Sequence, residues 1–184
     1  MSWNLVRLDD VPGTAWRNGG GVTRELLAWP KPDDWSVRMS VAQVAQDGPF
    51  SSFPGVTRWF AVLSGAGVRL QVEGRAHELT VLDPPFAFDG EADARCELIA
   101  GPTEDFNLML RGRVARMQRL MGSRSVTGRL GAVVALFANG APANIGSGGG
   151  ESSVPARTLA WRILDSDETI ELTGEDALWM EIEP

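Results

Sequence analysis

The sequence is poor in the two side chains that most often hold transition metals. It contains one cysteine, Cys96, and one histidine, His77, in 184 residues. A single cysteine cannot form an intramolecular disulfide, which is typical of proteins in a reducing cytoplasm. Zinc sites of the Cys₄, Cys₂His₂ or His₃ kind cannot be assembled within such a chain. The same counts exclude a haem-attachment motif and a redox CxxC motif.

Long apolar runs and lysine are also scarce. No apolar stretch approaches the ~20 residues that span a bilayer, and the first ten residues lack the pattern of a signal peptide. Lys31 is the only lysine among 17 basic residues, and 24 acidic residues give a net charge of −7. An acidic chain is a poor candidate for binding phosphate backbones. We therefore expect a cytoplasmic protein that binds neither nucleic acid nor membranes.

Short runs of β-type residues, separated by Gly, Pro, Asp or Ser, dominate the chain. Within Trp35–Val44, apolar residues alternate with Ser36, Arg38 and Ser40, which predicts a strand. Val22–Trp29 is a second strand, with Thr23, Glu25 and Leu27 expected on one face. The other predicted strands are Trp59–Ser64, Ala66–Val72, Ala76–Leu82, Arg95–Ala100, Asp105–Arg111, Gly131–Ala138, Arg157–Leu164, Glu168–Leu172 and Ala177–Glu183. This spacing predicts an all-β sandwich or barrel.

Two segments are less regular. Arg113–Met121 has apolar residues at helical spacing, but its flanking glycines also allow a strand, which we favour. Asn139–Glu151 contains Gly146-Ser147-Gly148-Gly149-Gly150, a composition that predicts a flexible surface loop.

Two glycine-containing segments, the single histidine and the single cysteine are candidates for chemistry. Asn18-Gly19-Gly20-Gly21 lacks the lysine of a P-loop, and a plain turn is favoured over a ligand-binding one. Asp47–Gly55 has two prolines and two glycines, so we expect a rigid loop with Phe50 and Phe53 as anchors, which either walls a pocket or connects strands. His77 is expected on an exposed strand, and Cys96 as a buried structural thiol.

Arginine is the residue type that favours a binding function. Arg38 shares a strand face with Ser36 and Ser40, and Arg58 directly follows the rigid loop. A guanidinium group binds a carboxylate through two parallel hydrogen bonds. The alternative is that each arginine pairs with an acidic side chain of this protein, as Arg38 would with Glu25 across neighbouring strands.

Three segments together resemble the HutD/Ves family. They are W-R-N-G-G-G-V-T-R-E at residues 16–25, D-G-P-F-S-S-F-P-G-V at 47–56 and D-F-N-L-M at 105–109. Two departures from the family pattern occur: Thr57 stands where many members have Asp, and Arg111-Gly112-Arg113 stands where an Arg-Arg pair is more usual. They leave open whether Arg111 or Arg113 reaches a pocket.

The resemblance implies a cupin-type double β-barrel, or bicupin, with a first barrel at residues 1–112 and a second, smaller barrel at 113–184. It also implies a ligand-binding pocket formed by Trp16, Asn18, Thr23, Glu25, Arg38, Ser40, Phe50, Arg58, Asn107 and Met109. Most catalytic cupins hold a metal with two or three histidines and a glutamate. One histidine cannot provide that set, so we expect a cupin without a metal or another cofactor.

These observations lead to a hypothesis and two alternatives. The hypothesis is a binding protein for a small carboxylate, with a regulatory or protective role in histidine utilisation. Urocanate, formiminoglutamate and N-formylglutamate are the ligands that this link implies. The alternatives are a metal-independent isomerase or lyase with Glu25 as base, and a structural or partner-binding protein. The sequence favours binding over catalysis and leaves a homodimer open.

Overall fold

The computed structural model describes residues 2–184, which are almost entirely strands and turns. This confirms the all-β prediction. In chain order the strands are β1 (Asn4–Arg7), β2 (Thr14–Ala15), β3 (Gly21–Trp29), β4 (Val37–Val44), β5 (Gly48–Pro49), β6 (Val56–Ser64), β7 (Val68–Val72), β8 (Arg75–Leu79), β9 (Phe86–Asp89), β10 (Ala94–Leu98), β11 (Thr103–Arg111), β12 (Ala115–Gly128), β13 (Val133–Ala138), β14 (Ala143–Ser147), β15 (Gly150–Val154), β16 (Thr158–Ile163) and β17 (Glu168–Ile182). Short 3-10 turns cover Leu8–Asp10 and Pro32–Asp34. Within residues 2–184, no helix is long and apolar enough to cross a bilayer.

The chain divides into two compact units. Pro12–Gly112 contains the three sequence motifs, and we call it the motif unit. Arg113–Pro184, together with the chain up to Val11, forms the C-terminal unit. The predicted division, 1–112 and 113–184, differs from this one at the N-terminus. The reason is that β1 pairs antiparallel with β16, where Asn4 lies opposite Trp161.

The motif unit consists of two antiparallel sheets. Their strand orders are β2-β3-β4-β11-β6-β9 and β5-β10-β7-β8. The buried residues of its core come from both sheets: Ala42, Val44, Phe60, Val62, Val68, Leu70, Leu79, Phe88, Ala94 and Cys96. Trp16 and Phe50 pack against this core and are themselves only partly buried.

The register of β4, β11 and β6 places polar residues in rows across the larger sheet. Cross-strand partners share a face, as do alternate residues of one strand. One row is Arg38, Met109 and Arg58; the next is Ser40, Asn107 and Phe60; the third is Ala42, Asp105 and Val62. The alternation predicted for β4 is confirmed, because Val37, Met39 and Val41 lie buried on its opposite face.

A β-bulge changes the facing of β3. Glu25 lies opposite Ser40, but Leu27 lies opposite Met39, so Leu26 is the extra residue. A bulge of one residue reverses the alternation that follows it. The prediction that Leu27 shares a face with Thr23 and Glu25 is therefore wrong, whereas Thr23 and Glu25 do share one.

The C-terminal unit is a single sheet of order β1-β16-β13-β17-β14-β15, with β12 also paired to β17. Its core includes Leu136, Ala160 and Trp179, and Trp3 packs against it. Most of Arg113–Met121 belongs to strand β12, which confirms the strand predicted for this segment. The predicted loop at Asn139–Glu151 is wrong in part, because β14 and β15 form a hairpin there. Its turn is Gly148-Gly149, with φ of +58° and +80°. The last two predicted strands are one continuous strand, β17.

Candidate functional site

One cavity of about 950 Å³ opens in the motif unit. All ten residues predicted to form a pocket lie along its wall: Trp16, Asn18, Thr23, Glu25, Arg38, Ser40, Phe50, Arg58, Asn107 and Met109. Volumes of this size are typical of small-molecule sites. That these residues bind a ligand stays a prediction.

The glycine-rich motif forms a tight turn at one side of the cavity. The Trp16 indole N–H donates to Thr23 Oγ1 at 2.8 Å, and Asn18 Oδ1 accepts from the Gly20 amide at 3.0 Å. Gly19 has a φ of +71°. A Cβ at Gly21 would lie 2.4 Å from the Gln43 carbonyl oxygen and 3.1 Å from the Trp16 ring. The segment is thus a turn, as favoured, and also a wall of the cavity.

The rigid loop encloses the Arg58 guanidinium group. Arg58 Nη2 donates to Asn107 Oδ1 at 3.0 Å, and Nη1 lies 3.5 Å from the Ser51 carbonyl oxygen. The guanidinium carbon lies 5.0 Å, 5.7 Å and 5.1 Å from the ring centroids of Phe50, Phe53 and Phe88. Aromatic faces stabilise a cation at such distances. The loop therefore holds this side chain in place.

Arg58 has no carboxylate partner among residues 2–184, although it is 7% exposed. Its Nε is buried without a hydrogen-bond partner. Burial, and next the positive charge of Arg38, lower the pKa of Arg58 to about 10. The group still carries its charge at neutral pH. A buried charge without a counter-charge is costly, and an anion in the cavity would offset that cost.

Arg38 does have a carboxylate partner. Its Nε lies 2.5 Å from Glu25 Oε2, and both side chains are partly exposed. The internal ion pair of Arg38 with Glu25 is thus present in the structure. The contact uses Nε, which leaves the two terminal nitrogens of the guanidinium group out of it. Both side chains line the cavity.

Asp105 lies deeper in the motif unit, two residues before Asn107 on the same face of β11. It is fully buried, and its Oδ2 accepts a hydrogen bond from Thr103 Oγ1 at 2.8 Å. Burial raises the pKa of Asp105 to about 7. Cys96 is also buried, as predicted, and burial followed by the charge of Asp105 raises its pKa to about 12. A thiol in that state is not a nucleophile at neutral pH.

Other residues singled out in the sequence lie away from the cavity wall. Arg111 is exposed and stacks on Trp35, with 4.5 Å between the guanidinium carbon and the ring centroid. Arg113 belongs to the C-terminal unit and donates to the Glu183 carbonyl oxygen. Thr57 is exposed. His77 is only half-buried and lies 4.2 Å from the Phe86 ring, centroid to centroid.

Sequence reasoning missed several residues around Arg58. Phe88 lies outside every predicted strand, and no local pattern connects it with Arg58. Ser51 acts through its carbonyl oxygen, which side-chain identity does not reveal. Phe60 could have been found, because it alternates with Arg58 on one strand. The cavity wall further includes Thr14, Ala15, Arg17, Ala42, Val44, Pro49, Ser51, Phe53 and Phe60.

The residues present do not fit the metal site of catalytic cupins. No three His, Cys, Asp or Glu side chains in residues 2–184 are grouped as metal ligands. The single histidine packs against Phe86, and Glu25 contacts Arg38. We therefore assign no metal ligands in the cavity.

The sequence is similar to proteins from Pseudomonas putida and Cronobacter sakazakii. It is 38% identical over 107 residues to an uncharacterised 21.2 kDa protein in the hutC 3′ region of Pseudomonas putida, covering 57% of this chain and 56% of that protein. It is 37% identical over 118 residues to protein Ves of Cronobacter sakazakii, covering 64% and 65%. The matched segment thus spans less than two thirds of each relative.

Solved structures resemble the chain over nearly its whole length. A conserved protein of unknown function from Pseudomonas aeruginosa PAO1 has a TM-score of 0.87 at 30% identity, covering 100% of this chain and 98% of that one. HutD from Pseudomonas fluorescens SBW25 has a TM-score of 0.84 at 29% identity, covering 98% of each.

More distant structures identify the fold. A cupin 2 conserved barrel domain protein from Leptotrichia buccalis has a TM-score of 0.60 at 7% identity, covering 100% of this chain and 98% of that one. This likeness establishes a cupin-like fold and nothing further. The family model described as HutD matches residues 8–183. The chain belongs to the HutD family.

Proposed function

We propose that the protein binds a small carboxylate in the cavity of the motif unit. The observation that carries this proposal is Arg58, a buried cation without a counter-charge at the cavity wall. A ligand carboxylate would supply that charge and accept the hydrogen bonds that a guanidinium group donates in pairs. Because such a pair is desolvated, it contributes more than an exposed one.

The rest of the wall supports a ligand with both polar and apolar parts. Asn107 is oriented by its hydrogen bond to Arg58 and presents its amide beside it. Arg38 on β4 and Arg58 on β6 lie in the same row, on either side of Met109 on β11. We assign Arg58 as the main anchor and Arg38 as a second contact. Met109 and Phe50 would cover the apolar part of the ligand.

The names of two relatives, HutD and a protein of the hutC region, support a role in histidine utilisation. We propose a cytoplasmic accessory protein with a regulatory or protective role, whose ligand is urocanate, formiminoglutamate or N-formylglutamate. We further propose that each unit is a cupin-type barrel, which makes the chain a bicupin.

The experiment combines a thermal-shift screen of these three acids with calorimetric titration of wild-type protein and Arg58→Ala. We expect saturable binding to the wild type and a loss of roughly 10- to 150-fold in affinity in the variant. Arg111→Ala, which removes the same charge from an exposed position, is the matched control and should bind normally. Equal affinity of Arg58→Ala and wild type would contradict the assignment.

An enzyme is the second candidate, because Glu25 places a carboxylate in the same cavity. A metal-independent isomerase or lyase would use Glu25 as its base. Proton NMR of each bound acid, followed for a day with stoichiometric protein, separates the two functions. Unchanged ligand spectra support binding alone, and new resonances that disappear in Glu25→Gln support catalysis.

A further inference from the structure

A second buried arginine lies in the C-terminal unit. Arg162 is on β16 opposite Val134, so its side chain points to the core side of the sheet. The side chain is 7% exposed. Its Nη2 donates to Ser147 Oγ at 2.9 Å, and the guanidinium carbon lies 4.8 Å from the ring centroid of Trp3. Arg162 is therefore bordered by a hydroxyl group and an aromatic face.

Unlike Arg58, this arginine has a carboxylate from its own chain. Glu168 forms an ion pair with Arg162 Nη2. Its Oε2 also accepts a hydrogen bond from Ser147 Oγ at 3.2 Å. A guanidinium and a hydroxyl donor on one carboxylate are the contacts that a protein makes to a bound carboxylic acid. Here the carboxylate arrives on a side chain instead of on a ligand.

The position of Glu168 in the chain explains how it reaches this place. It is the first residue of β17 and follows the bend at Asp165-Ser166. Its side chain is 19% exposed, so it enters from the surface and is not part of the apolar core. Arg162 Nε is buried and has no hydrogen-bond partner, so the same guanidinium group has a further donor that is not used. Burial lowers the pKa of Arg162.

We propose that Arg162, Ser147 and Trp3 form a carboxylate site that the protein fills with its own Glu168. A small monocarboxylate takes the same place when the Glu168 side chain is cut back to the Cβ atom. In the wild type Glu168 occupies this site, which closes it to external acids.

Chemical rescue tests this proposal. Glu168→Ala removes a carboxylate and one methylene group, a space that acetate can fill. The melting temperature is measured in sodium acetate and in sodium chloride at equal ionic strength. At acetate tenfold above its dissociation constant, Glu168→Ala should gain roughly 3–6 °C more than wild type. The gain over wild type is the quantity compared, so acetate binding at Arg58 does not enter it.

Two variants serve as controls. Glu168→Gln keeps the space filled with an amide, and Glu168→Ala/Arg162→Leu lacks the guanidinium group. Both should respond to acetate as the wild type does. An equal response of Glu168→Ala and the double variant would overturn the proposal. If Glu168→Ala is unfolded in chloride, refolding from urea is compared in the two salts. Refolding in acetate alone supports the site, and failure in both salts contradicts it.

Discussion

Three arginines of the motif unit differ in what their guanidinium groups contact. Arg58 is buried among phenyl rings without a carboxylate, Arg38 contacts Glu25, and Arg111 lies on the surface against Trp35. Arg162 in the C-terminal unit is as buried as Arg58 but has a carboxylate. Burial alone thus does not distinguish these two arginines. Arg58 is the one that lacks a counter-charge, which is why we propose it as the ligand contact.

Variants of Arg38 test whether this side chain can contact Glu25 and a ligand at the same time. We expect Arg38→Ala to lose roughly 10- to 150-fold in affinity for the bound acid. Arg38→Lys should recover little of this loss, because an ammonium group cannot form two parallel hydrogen bonds. Since the Glu25 contact is partly exposed, stability should change by less than about 1 kcal/mol. Titration and melting are measured on the same preparations.

Glu25→Gln is the control for this pair. It removes the charge of Glu25 but keeps Arg38, so affinity should be retained or should rise. A purely structural role for Arg38 would instead lower the melting temperature in Arg38→Ala and leave affinity unchanged. Unchanged affinity in both Arg38→Ala and Arg58→Ala would rule out the anion pocket.

Asp105 predicts a pH dependence of stability. Its pKa is raised to about 7 in the folded protein, mainly by burial, against an ordinary value of about 3.9. Between these values the folded state holds a proton that the unfolded state has lost. The bound proton therefore contributes to the free energy of unfolding. This contribution is fully present below about pH 4 and is lost as pH rises through about 7. Asp105→Asn lacks the contribution, so its stability relative to wild type should rise between pH 5 and pH 8.

Urea unfolding at pH 5, 6, 7 and 8 measures this difference, which is on the order of a few kcal/mol. Asp34→Asn makes the same charge change at an exposed position and should follow the wild-type profile. Parallel profiles for Asp105→Asn and wild type would show that Asp105 is ionised throughout.

At the scale of elements, the alternation of polar and apolar residues predicted which side chains share a face, except where the backbone departs from a regular strand. It placed Arg38 and Ser40 together on β4, and the structure confirms this. It failed for Leu27, since no residue pattern indicates the bulge at Leu26. It also failed at Ala143–Ser147, where glycine-rich composition hid a strand whose alternate residues are buried. The cavity wall was found through the motifs, because it joins β3, β4, β6 and β11 from distant parts of the chain.

Two glycines of the first motif give a matched prediction. Gly21→Ala would place a Cβ 2.4 Å from the Gln43 carbonyl oxygen and against Trp16. We expect a loss of about 3 kcal/mol and weaker ligand binding, because both β4 and Trp16 must move. Gly19→Ala meets no atom within 4 Å but has a φ of +71°. It should cost roughly 1 kcal/mol and leave affinity unchanged. Equal effects of the two variants on unfolding and titration would contradict this account.

At the scale of the whole molecule, pairing between distant strands determines which unit a segment belongs to, and local sequence patterns do not reveal this. Residues 2–11 join the C-terminal unit through β1 and β16, which are separated by some 150 positions, as the pairing of Asn4 with Trp161 shows. The motifs predicted the cupin-like fold because they identify the family. They did not predict the contacts of Arg162, because that residue lies outside all three motifs.

The composition of the whole chain predicts independence from metals. The one histidine lies against Phe86. Among the residues of the cavity wall, Glu25 is the acidic one, and it contacts Arg38. Protein purified without added metal should contain less than stoichiometric metal by elemental analysis. Dialysis against EDTA should change neither the melting temperature nor the affinity for the bound acid, because no contact made by Arg58 or Asn107 requires a cation. A metal-dependent cupin treated in parallel verifies that the dialysis removes bound metal. One metal ion per chain, or a melting temperature lowered by EDTA and restored by a divalent cation, would mean that carboxylates outside the cavity wall form a metal site.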